Sequence, residues 1–580
     1  MGSRHFVGAL FALSLCGVAP AQDVWRVSAA ALPGGDGLTW TSAFTDLQDA
    51  LDAARAQPLF VPQHIWIAPG TYRPDRGTEL RASAFIIDRP MELLGGFAGT
   101  ESSASERLSS TPMPVLTGDL GVPTSRADNA LHVVIVRDDT AESRLERLIV
   151  RDGNADDANV AFGRFGGGVL IEDGSPTIDG CLITACTARD GAGIYADSGE
   201  PTITQTMVSQ NGATTSGGGA YLKDGGHVIG SIFNSNNGPS GAGLFVCCGG
   251  GEIRDSLFQG NFGNNGGGIF FGVGAPQIAR CTFISNSAMR GAGIYASRSG
   301  GTIASCRFAS NTASDGGGVY IDLGVTLVNC LFTRNTAFSF GGAIYARNNP
   351  AIVGCTIYSN GAGFSGGGVH HASGVSTLAN SILWANTDST GITQQAQVAQ
   401  ISGAIAPSAC CIESWSGSLG GVLNTGTAPG LLWITGTDGL LGTADDDPRV
   451  APGSVCIDAG INTLWPADAA DLDLDGDTLE ITPLDALGAA RALDDDSVPD
   501  TGVPGAGLPA IADIGCAEAL PGCVGDLNGD LWVNAADFTV MAANFGLAGA
   551  QPWQGDINRD TLVNAADFTI LAAQFGAQCP

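Results

Sequence analysis

The chain has 580 residues, of which 57 are acidic and 26 are basic, and Lys223 is its only lysine. A protein must neutralise phosphates to bind nucleic acid, so a formal net charge of −31 excludes that partner and suits a calcium-rich exterior. Glycine is abundant, at 85 residues, but 44% of the chain is hydrophobic, which favours a folded structure with many tight corners over disorder.

Residues 1–21 have the pattern of a signal peptide. Arg4 and His5 precede an apolar stretch from Phe6 to about Val18, and small residues up to Ala21 offer a cleavage site. The apolar stretch is too short to span a bilayer, and no other segment predicts a transmembrane helix. We therefore expect a secreted protein, extracellular or at the cell surface, that does not span the membrane.

Residues 22–160 are irregular, and we predict an N-terminal cap and the first coils of a stack of strands. Thr45 is the expected cap of a short helix whose apolar face would close the open end of the stack. That face consists of Leu47, Ala50, Leu51 and Ala54. Early strands are predicted around His64–Ile67, Phe85–Ile87, Met91–Leu94, Val133–Val136 and Leu145–Val150.

Residues 161–400 carry a three-residue glycine mark that recurs about every 25 residues. The marks begin at Gly166, Gly191, Gly217, Gly241, Gly266, Gly291, Gly316, Gly341 and Gly366. A period of this length predicts a solenoid, and short β-branched runs between polar turns make its unit a set of strands and corners. The sequence therefore predicts a mainly β protein, a parallel β-helix with about 25 residues per coil.

Two further columns keep the same register. An asparagine lies five or six residues before most glycine marks, at Asn211, Asn236, Asn261, Asn286, Asn311, Asn335 and Asn360. Asn386 extends this column, and Cys186 takes its first position. Stacked asparagines can pass hydrogen bonds along a corner. Three residues earlier lies a residue expected in the core: Val208, Phe233, Phe258, Phe283, Phe308, Phe332, Ile357 or Leu383.

Several cysteines occupy one small-residue column of the repeat, at Cys181, Cys281, Cys306, Cys330 and Cys355. We expect mostly buried thiols there, although a rung spacing of about 4.8 Å would also permit bridges. Cys523 and Cys579 differ, because they bracket the last module and could join its ends.

The pairs Phe233…Asn236, Phe258…Asn261 and Phe283…Asn286, with Gly341-Gly342-Ala343-Ile344, resemble the FxxN and GGAI motifs of polymorphic outer-membrane-protein repeats. The resemblance covers roughly 230 residues. It implies a right-handed β-helix displayed outside the cell, often adhesive. Members of that family usually end in an autotransporter barrel, and nothing in this sequence resembles one.

An aromatic column follows the glycine marks. It consists of Tyr195, Tyr221, Phe245, Phe270, Tyr295, Tyr320 and Tyr345, with His370 next in line. Strand alternation puts this column on the face opposite its aliphatic neighbours. Outward-facing rings would form a ladder on which sugar rings could stack; alternatively, the rings stack on one another and stabilise the solenoid.

Pectin-acting enzymes with a right-handed β-helix resemble the predicted fold, and their catalytic residues can be compared with this sequence. Asn386-Thr387-Asp388 matches one polygalacturonase segment, but the others are missing. A pectate lyase needs a calcium carboxylate cluster beside an arginine base. The acids of the coils are scattered singly, and His370-His371 is expected at the surface. The catalytic residues therefore remain unknown.

Residues 401–520 lose the repeat and are rich in Asp, Gly and Pro, which predicts a C-terminal cap and a linker. The run Asp471–Asp477 reads DLDLDGD and is a possible third calcium loop. Thr482 occupies the position of its last ligand, so a solvated acidic loop is an equal alternative.

Residues 521–580 contain two copies of a twelve-residue loop followed by a helix, offset by 30 residues. Calcium takes about six to eight oxygens, and this spacing wraps them around one ion. The first set of predicted ligands is Asp526, Asn528, Asp530, Asn534 and Asp537 with the Trp532 carbonyl. The second is Asp556, Asn558, Asp560, Asn564 and Asp567 with the Leu562 carbonyl.

Two such units in tandem, without the entering helix of an EF-hand, resemble a dockerin domain. Dockerins fold on calcium and attach secreted proteins, commonly polysaccharide-degrading enzymes, to cohesin domains. The resemblance implies a small all-α domain, two Ca²⁺ ions and a cohesin-like or other surface scaffold partner. Ala535-Ala536 and Ala565-Ala566 stand where type I dockerins favour hydroxyl residues. The alternative is a calcium-stabilised terminal cap without a partner.

Together these features predict a secreted bacterial protein that binds glycans, polysaccharide or cell surfaces along the β-helix and is anchored through its calcium module. The alternative is a polysaccharide-degrading enzyme, a pectate-lyase-like lyase or a glycoside hydrolase, carried by a dockerin. Fold analogy alone is a weak argument for activity.

Overall fold

The computed structural model describes residues 24–580 except 60, 124, 138–142, 299, 401–403, 432–433, 437, 444, 496–497, 509, 520–524, 529–531, 549, 551–553, 558–561 and 579–580. The predicted signal peptide, Cys523 and Cys579 lie outside the described residues. The chain forms a parallel β-solenoid of about 14 turns, built from three long sheets. Each coil visits sheet 1, sheet 2 and sheet 3 in that order.

Strands in the three sheets pair in parallel with equivalent strands of the next coil. Sheet 1 contains Val24–Val27, Gln63–Ile67, Met91–Leu94, Arg144–Glu146, Thr177–Asp179, Thr202–Thr204, His227–Ile229, Glu252–Arg254, Gln277–Ala279, Thr302–Ala304, Thr326–Val328, Ala351–Val353, Val375–Ala379 and Ala404–Ile405. Sheet 2 contains Thr71–Tyr72, Val115–Thr117, Ile149–Arg151, Leu182–Thr184, Met207–Ser209, Ile232–Asn234, Leu257–Gln259, Thr282–Ile284, Arg307–Ala309, Leu331–Thr333, Thr356–Tyr358, Ile382–Trp384 and Cys411–Ile412. Sheet 3 contains Phe85–Ile87, Val134–Arg137, Val169–Asp173, Ile194–Ala196, Ala220–Leu222, Leu244–Val246, Ile269–Phe271, Ile294–Ala296, Val319–Ile321, Ile344–Arg347, Val369–Ser373 and Val398–Gln400.

Two short ribbons lie between sheets 2 and 3. One contains Asn154–Ala155, Thr187–Asp190 and Gly212–Ser216, and the other contains Thr312–Asp315, Thr336–Phe340 and Gly361–Ala362. The predicted strand over Leu145–Val150 is divided between Arg144–Glu146 of sheet 1 and Ile149–Arg151 of sheet 2, because a corner at Arg147, with φ +54°, separates them.

The interior of the solenoid is filled by stacked, buried side chains. Phe233, Phe258, Phe283, Phe308 and Phe332 are fully buried, and successive rings stack with centroids 4.7–5.0 Å apart. The predicted core column is therefore confirmed. A parallel stack of identical side chains lets every ring cover the next, so the core continues from coil to coil.

The N-terminal end is covered by helix α1, Leu47–Arg55, as the sequence predicts. Its buried residues are the four expected ones, Leu47, Ala50, Leu51 and Ala54. The helix cap is Asp46 and not Thr45, because the Asp46 carboxylate accepts the N–H of Gln48 at 2.9 Å.

After Cys411–Ile412 the chain turns back along the side of the solenoid. Trp465, Leu472 and Ala492 pack against the outer side chains of sheet 1, and Ile434 and Cys516 pack against Leu331 of sheet 2. The described parts of residues 429–519 thus cover the outer faces of sheets 1 and 2 over part of their length. The short helix α2, Gln394–Gln397, lies near the C-terminal end of the stack.

The last two helices are α3, Ala535–Asn544, and α4, Ala565–Gln574. Each begins with a capping box, formed by Asn534 with Asp537 and by Asn564 with Asp567. Their shared core includes Val533, Met541, Val563 and Leu571. The two units exchange equivalent bonds, since Gly546 N–H donates to the Val563 carbonyl at 2.8 Å and Gly576 N–H to the Val533 carbonyl at 2.7 Å.

Twelve cysteines are free thiols in the described residues. Cys181, Cys281, Cys306, Cys330 and Cys355 are buried at the expected column. Burial raises the pKa of Cys306, Cys330 and Cys355 well above the usual thiol value. These side chains therefore behave as small apolar residues and are poor nucleophiles.

Candidate binding face and calcium sites

The predicted aromatic column lies on the outer side of sheet 3 and forms a continuous stack. Ring centroids from Tyr195 through Tyr345 to His370 are 4.5–5.2 Å apart, and interplanar angles are 26° or less. Parallel pairing with Cα partners in register aligns the rings. Each interior ring is covered on both faces by its neighbours, so what the column presents to solvent is ring edges and hydroxyls.

The exposure of the rings agrees with this arrangement. Tyr195, Tyr295 and Tyr320 are 5–8% exposed, whereas Tyr221, Phe245, Phe270 and Tyr345 are partly exposed. Burial raises the pKa of Tyr320 and Tyr345, which keeps their hydroxyls protonated as hydrogen-bond donors. The stack stabilises the solenoid by mutual ring contact. A sugar would therefore meet edges and hydroxyls on this face.

Charged side chains flank the column on one side. Tyr195 Oη donates to Asp197 Oδ1 at 3.2 Å, and Lys223 Nζ lies 3.0 Å from the same oxygen. Farther along, Arg347 Nη1 lies 3.4 Å from both Asp322 Oδ1 and Tyr320 Oη. The face thus combines an apolar strip with hydrogen-bonding groups of both charges, a composition suited to a polar ligand with apolar patches.

The first C-terminal loop folds back on itself, as a calcium loop requires. Asp537 is fully buried, and its Oδ1 accepts the N–H groups of Leu527 and Asn528 at 2.7 and 3.0 Å. Position 12 of the loop therefore lies against positions 2 and 3. The equivalent Asp567 is also fully buried, and its Oδ2 accepts the Asn564 N–H at 2.9 Å.

The first predicted ligand of each loop is buried as well, with Asp526 and Asp556 each 2% exposed. Two buried aspartates at opposite ends of a twelve-residue loop fit a hard divalent cation, which would neutralise them. Trp532 and Leu562, the predicted carbonyl donors, expose their side chains. Asp530, Asn558 and Asp560 lie outside the described residues.

In the possible third loop, one carboxylate oxygen each from Asp471, Asp473 and Asp475 lies within 4.8 Å of the others. Asp473 forms a second such group with Asp468 and Glu480. The spacing rule missed these two residues, because Asp468 precedes the loop and Glu480 comes two residues before the expected last ligand. The Thr482 hydroxyl instead donates to the Pro466 carbonyl at 2.9 Å.

The His370-His371 pair is not at the surface, contrary to the sequence-based expectation. His370 is 3% exposed and stacks on Tyr345, and His371 is fully buried. His371 pairs in register with the inward Ala346 of the preceding coil, which places its side chain in the core. Burial lowers the pKa of both imidazoles, that of His370 to about 4.

Comparison with known proteins supports the fold. Residues 242–406 match the family model described as "Right handed beta helix region", which gives the hand of the solenoid. Among solved structures, "Crystal structure of pectate lyase Pel9A" matches at 12% sequence identity, over 76% of this chain and 92% of that chain, with a TM-score of 0.31. That likeness is too low to carry an argument. No curated protein sequence matches the chain.

None of the helices in the described part of the chain has the length and apolarity that a bilayer crossing requires.

Proposed function

We propose that this is an exported β-helix protein that binds polysaccharide along the outer face of sheet 3 and is anchored by a calcium-loaded C-terminal module. The observation that carries the proposal is the division of the solenoid's faces. Described residues between 429 and 519 pack on sheets 1 and 2. The outer face of sheet 3, in contrast, carries a continuous aromatic column flanked by charged side chains. A long regular face suits a long regular ligand.

The polysaccharide would contact the ring edges, the tyrosine hydroxyls and the charged side chains that flank the column. Because the rings cover one another, sugars would lie across the column instead of between its rings. Asp197 and Asp322 would accept hydrogen bonds from sugar hydroxyls, and Arg347 would donate to sugar hydroxyls or carboxylates. The buried acids of the tandem loops support the calcium part of the proposal, with two ions there and a third at Asp471–Asp477. A cohesin-like scaffold is the proposed anchoring partner.

The test is retention of the secreted chain on columns of pectin, alginate and sulfated glycans, with assays for new reducing or unsaturated ends. We expect retention without product. The variant Tyr295→Phe/Tyr320→Phe/Tyr345→Phe keeps the stack and removes only hydroxyls, and it should weaken retention. Exposed Met289→Ala, outside the column, is the matched control. Unchanged retention of the triple variant, or failure of the wild type to bind any glycan, would contradict the proposal.

The enzyme alternative has one specific place in the structure. A cavity of about 310 Å³ lies between sheet 2 and the C-terminal segment and is lined by Arg280, Arg307 and Asp485. Arg280 is held by Asp255 and the Leu472 carbonyl, and Arg307 contacts the carbonyl of Thr443. Product formation in the assay above, abolished by Arg280→Ala, would establish this alternative in place of the binding function.

A further inference from the structure

A third group of acids lies in the C-terminal segment, apart from the tandem loops and from Asp471–Asp477. One carboxylate oxygen each from Asp458, Asp494 and Asp500 lies within 4.8 Å of the others. Asp494 and Asp500 are exposed, whereas Asp458 is fully buried. The group joins two stretches of chain that are more than thirty residues apart in sequence.

The backbone of Asp458 is well bonded, but its carboxylate is not. Its N–H donates to Asp513 Oδ1 at 2.8 Å, and its carbonyl accepts the N–H groups of Thr501 and Gly502 at 3.0 Å each. Oδ2 accepts one long bond from the Asp495 N–H at 3.4 Å, and Oδ1 is buried with no hydrogen-bond partner. A buried carboxylate oxygen without a partner is costly, so this position calls for a positive charge.

Neighbouring carboxylates increase the cost of leaving the Asp458 carboxylate without a cation. The carboxylates of Asp494, Asp500 and Asp495 add like charge around this buried oxygen. A cation bound between the three carboxylates of the group would neutralise part of that charge.

We propose that Asp458, Asp494 and Asp500 bind a calcium ion. All three ligands are carboxylate oxygens, which favours a hard cation over zinc. Calcium accepts irregular geometry and about six to eight oxygens, and the exposed side of the group leaves room for water to complete the shell. The ion would tie Asp494 and Asp500 to Asp458, close to the point where Val503 N–H already donates to the Gly460 carbonyl at 2.8 Å. It would thereby fasten the segment that covers sheets 1 and 2.

The test compares the full chain with Asp494→Asn/Asp500→Asn, which alters only exposed side chains and leaves buried Asp458 in place. Asp173→Asn/Asp224→Asn removes the same charge from two exposed positions on the solenoid and serves as the control. The first measurement is the number of Ca²⁺ ions bound per chain by equilibrium dialysis. The second is hydrogen exchange of residues 494–503 with and without Ca²⁺, because it reports on this loop independently of the other calcium sites.

We expect the site variant to bind one Ca²⁺ fewer than the wild type and the control. Calcium should slow exchange of the 494–503 loop in the wild type and control, and that protection should be lost in the site variant. Equal calcium stoichiometry in all three proteins, or protection that persists in the site variant, would overturn the proposal. Both outcomes are independent of glycan binding.

Discussion

Asn286 donates from Nδ2 to Oδ1 of Asn311 at 3.0 Å, and the same oxygen accepts the backbone N–H of Asn286 at 3.0 Å. This pair of bonds repeats between successive asparagines from Asn211 to Asn386, where Gln397 Oε1 ends the series. Each Nδ2 also donates to a core-strand carbonyl, as Asn286 does to Phe258 at 2.8 Å. The column is therefore a buried and fully bonded polar ladder, in which each rung depends on the next.

Replacing one rung should be costly. Asn286→Ala leaves the Asn261 donors, the Phe258 carbonyl and Asn311 Oδ1 short of a buried partner, so we expect a loss of about 2–4 kcal/mol in the free energy of unfolding. Urea unfolding measures it. Asn264→Ala, at an exposed position of the preceding coil, is the control and should lower the free energy of unfolding far less. Similar losses in the two variants would show that the ladder adds no specific stability.

The glycine mark has a steric reason that can be tested at Gly293. A Cβ at this position would lie 2.6 Å from the Gly318 carbonyl oxygen and 2.8 Å from Phe308 Cδ1. Neither the next coil nor the stacked ring can withdraw, so Gly293→Ala should lower stability by roughly 2 kcal/mol or more. In Gly300→Ala the new methyl group would meet only the Gly324 carbonyl oxygen at 3.8 Å, so this control should fold normally. Thermal unfolding of both variants decides the point.

The repeat allowed the sequence to predict much of the solenoid. Glycine, asparagine and phenylalanine columns each recur at a fixed place in the coil, because every rung meets the same neighbours above and below. The side-on packing of residues 429–519 has no such signal. Trp465, for example, stacks with the Arg491 guanidinium 4.2 Å from its ring centroid, a contact made by residues without periodicity.

The candidate sites show the same limit. The tandem loops could be predicted from the sequence because the proposed ligands of each loop lie within twelve consecutive residues. Asp458, in contrast, comes close to Asp494 and Asp500 only in the tertiary fold. His371 could have been placed by strand alternation, since it follows Val369 by two residues and both point into the core. Its polar character favoured the surface, and the register of sheet 3 overrode that preference.

Calcium should control the folding of the C-terminal module. We expect Ca²⁺ to increase the helical signal at α3 and α4 in the wild type, because the ion neutralises buried aspartates at both ends of each loop. Asp526→Asn/Asp556→Asn should abolish that increase in circular dichroism. Asp173→Asn/Asp224→Asn is again the charge-matched control. An undiminished calcium response in the loop variant would show that these aspartates are not ligands.

His370 makes the solenoid sensitive to acid. Burial lowers the pKa of this imidazole to about 4, while the unfolded chain takes up the proton near pH 6.5, so acidification between these values favours unfolding. His370→Phe keeps a ring on Tyr345 and removes the titration. Relative to the wild type, the variant should therefore gain stability as the pH falls from about 6.5 to about 4, by at most about 3 kcal/mol.

Urea unfolding at several pH values measures this difference. Tyr345→Phe, which changes the neighbouring ring and leaves the His370 imidazole in place, is the control and should keep the pH dependence of the wild type. A pH-independent difference between His370→Phe and the wild type would mean that the imidazole stays accessible to protons in the folded chain.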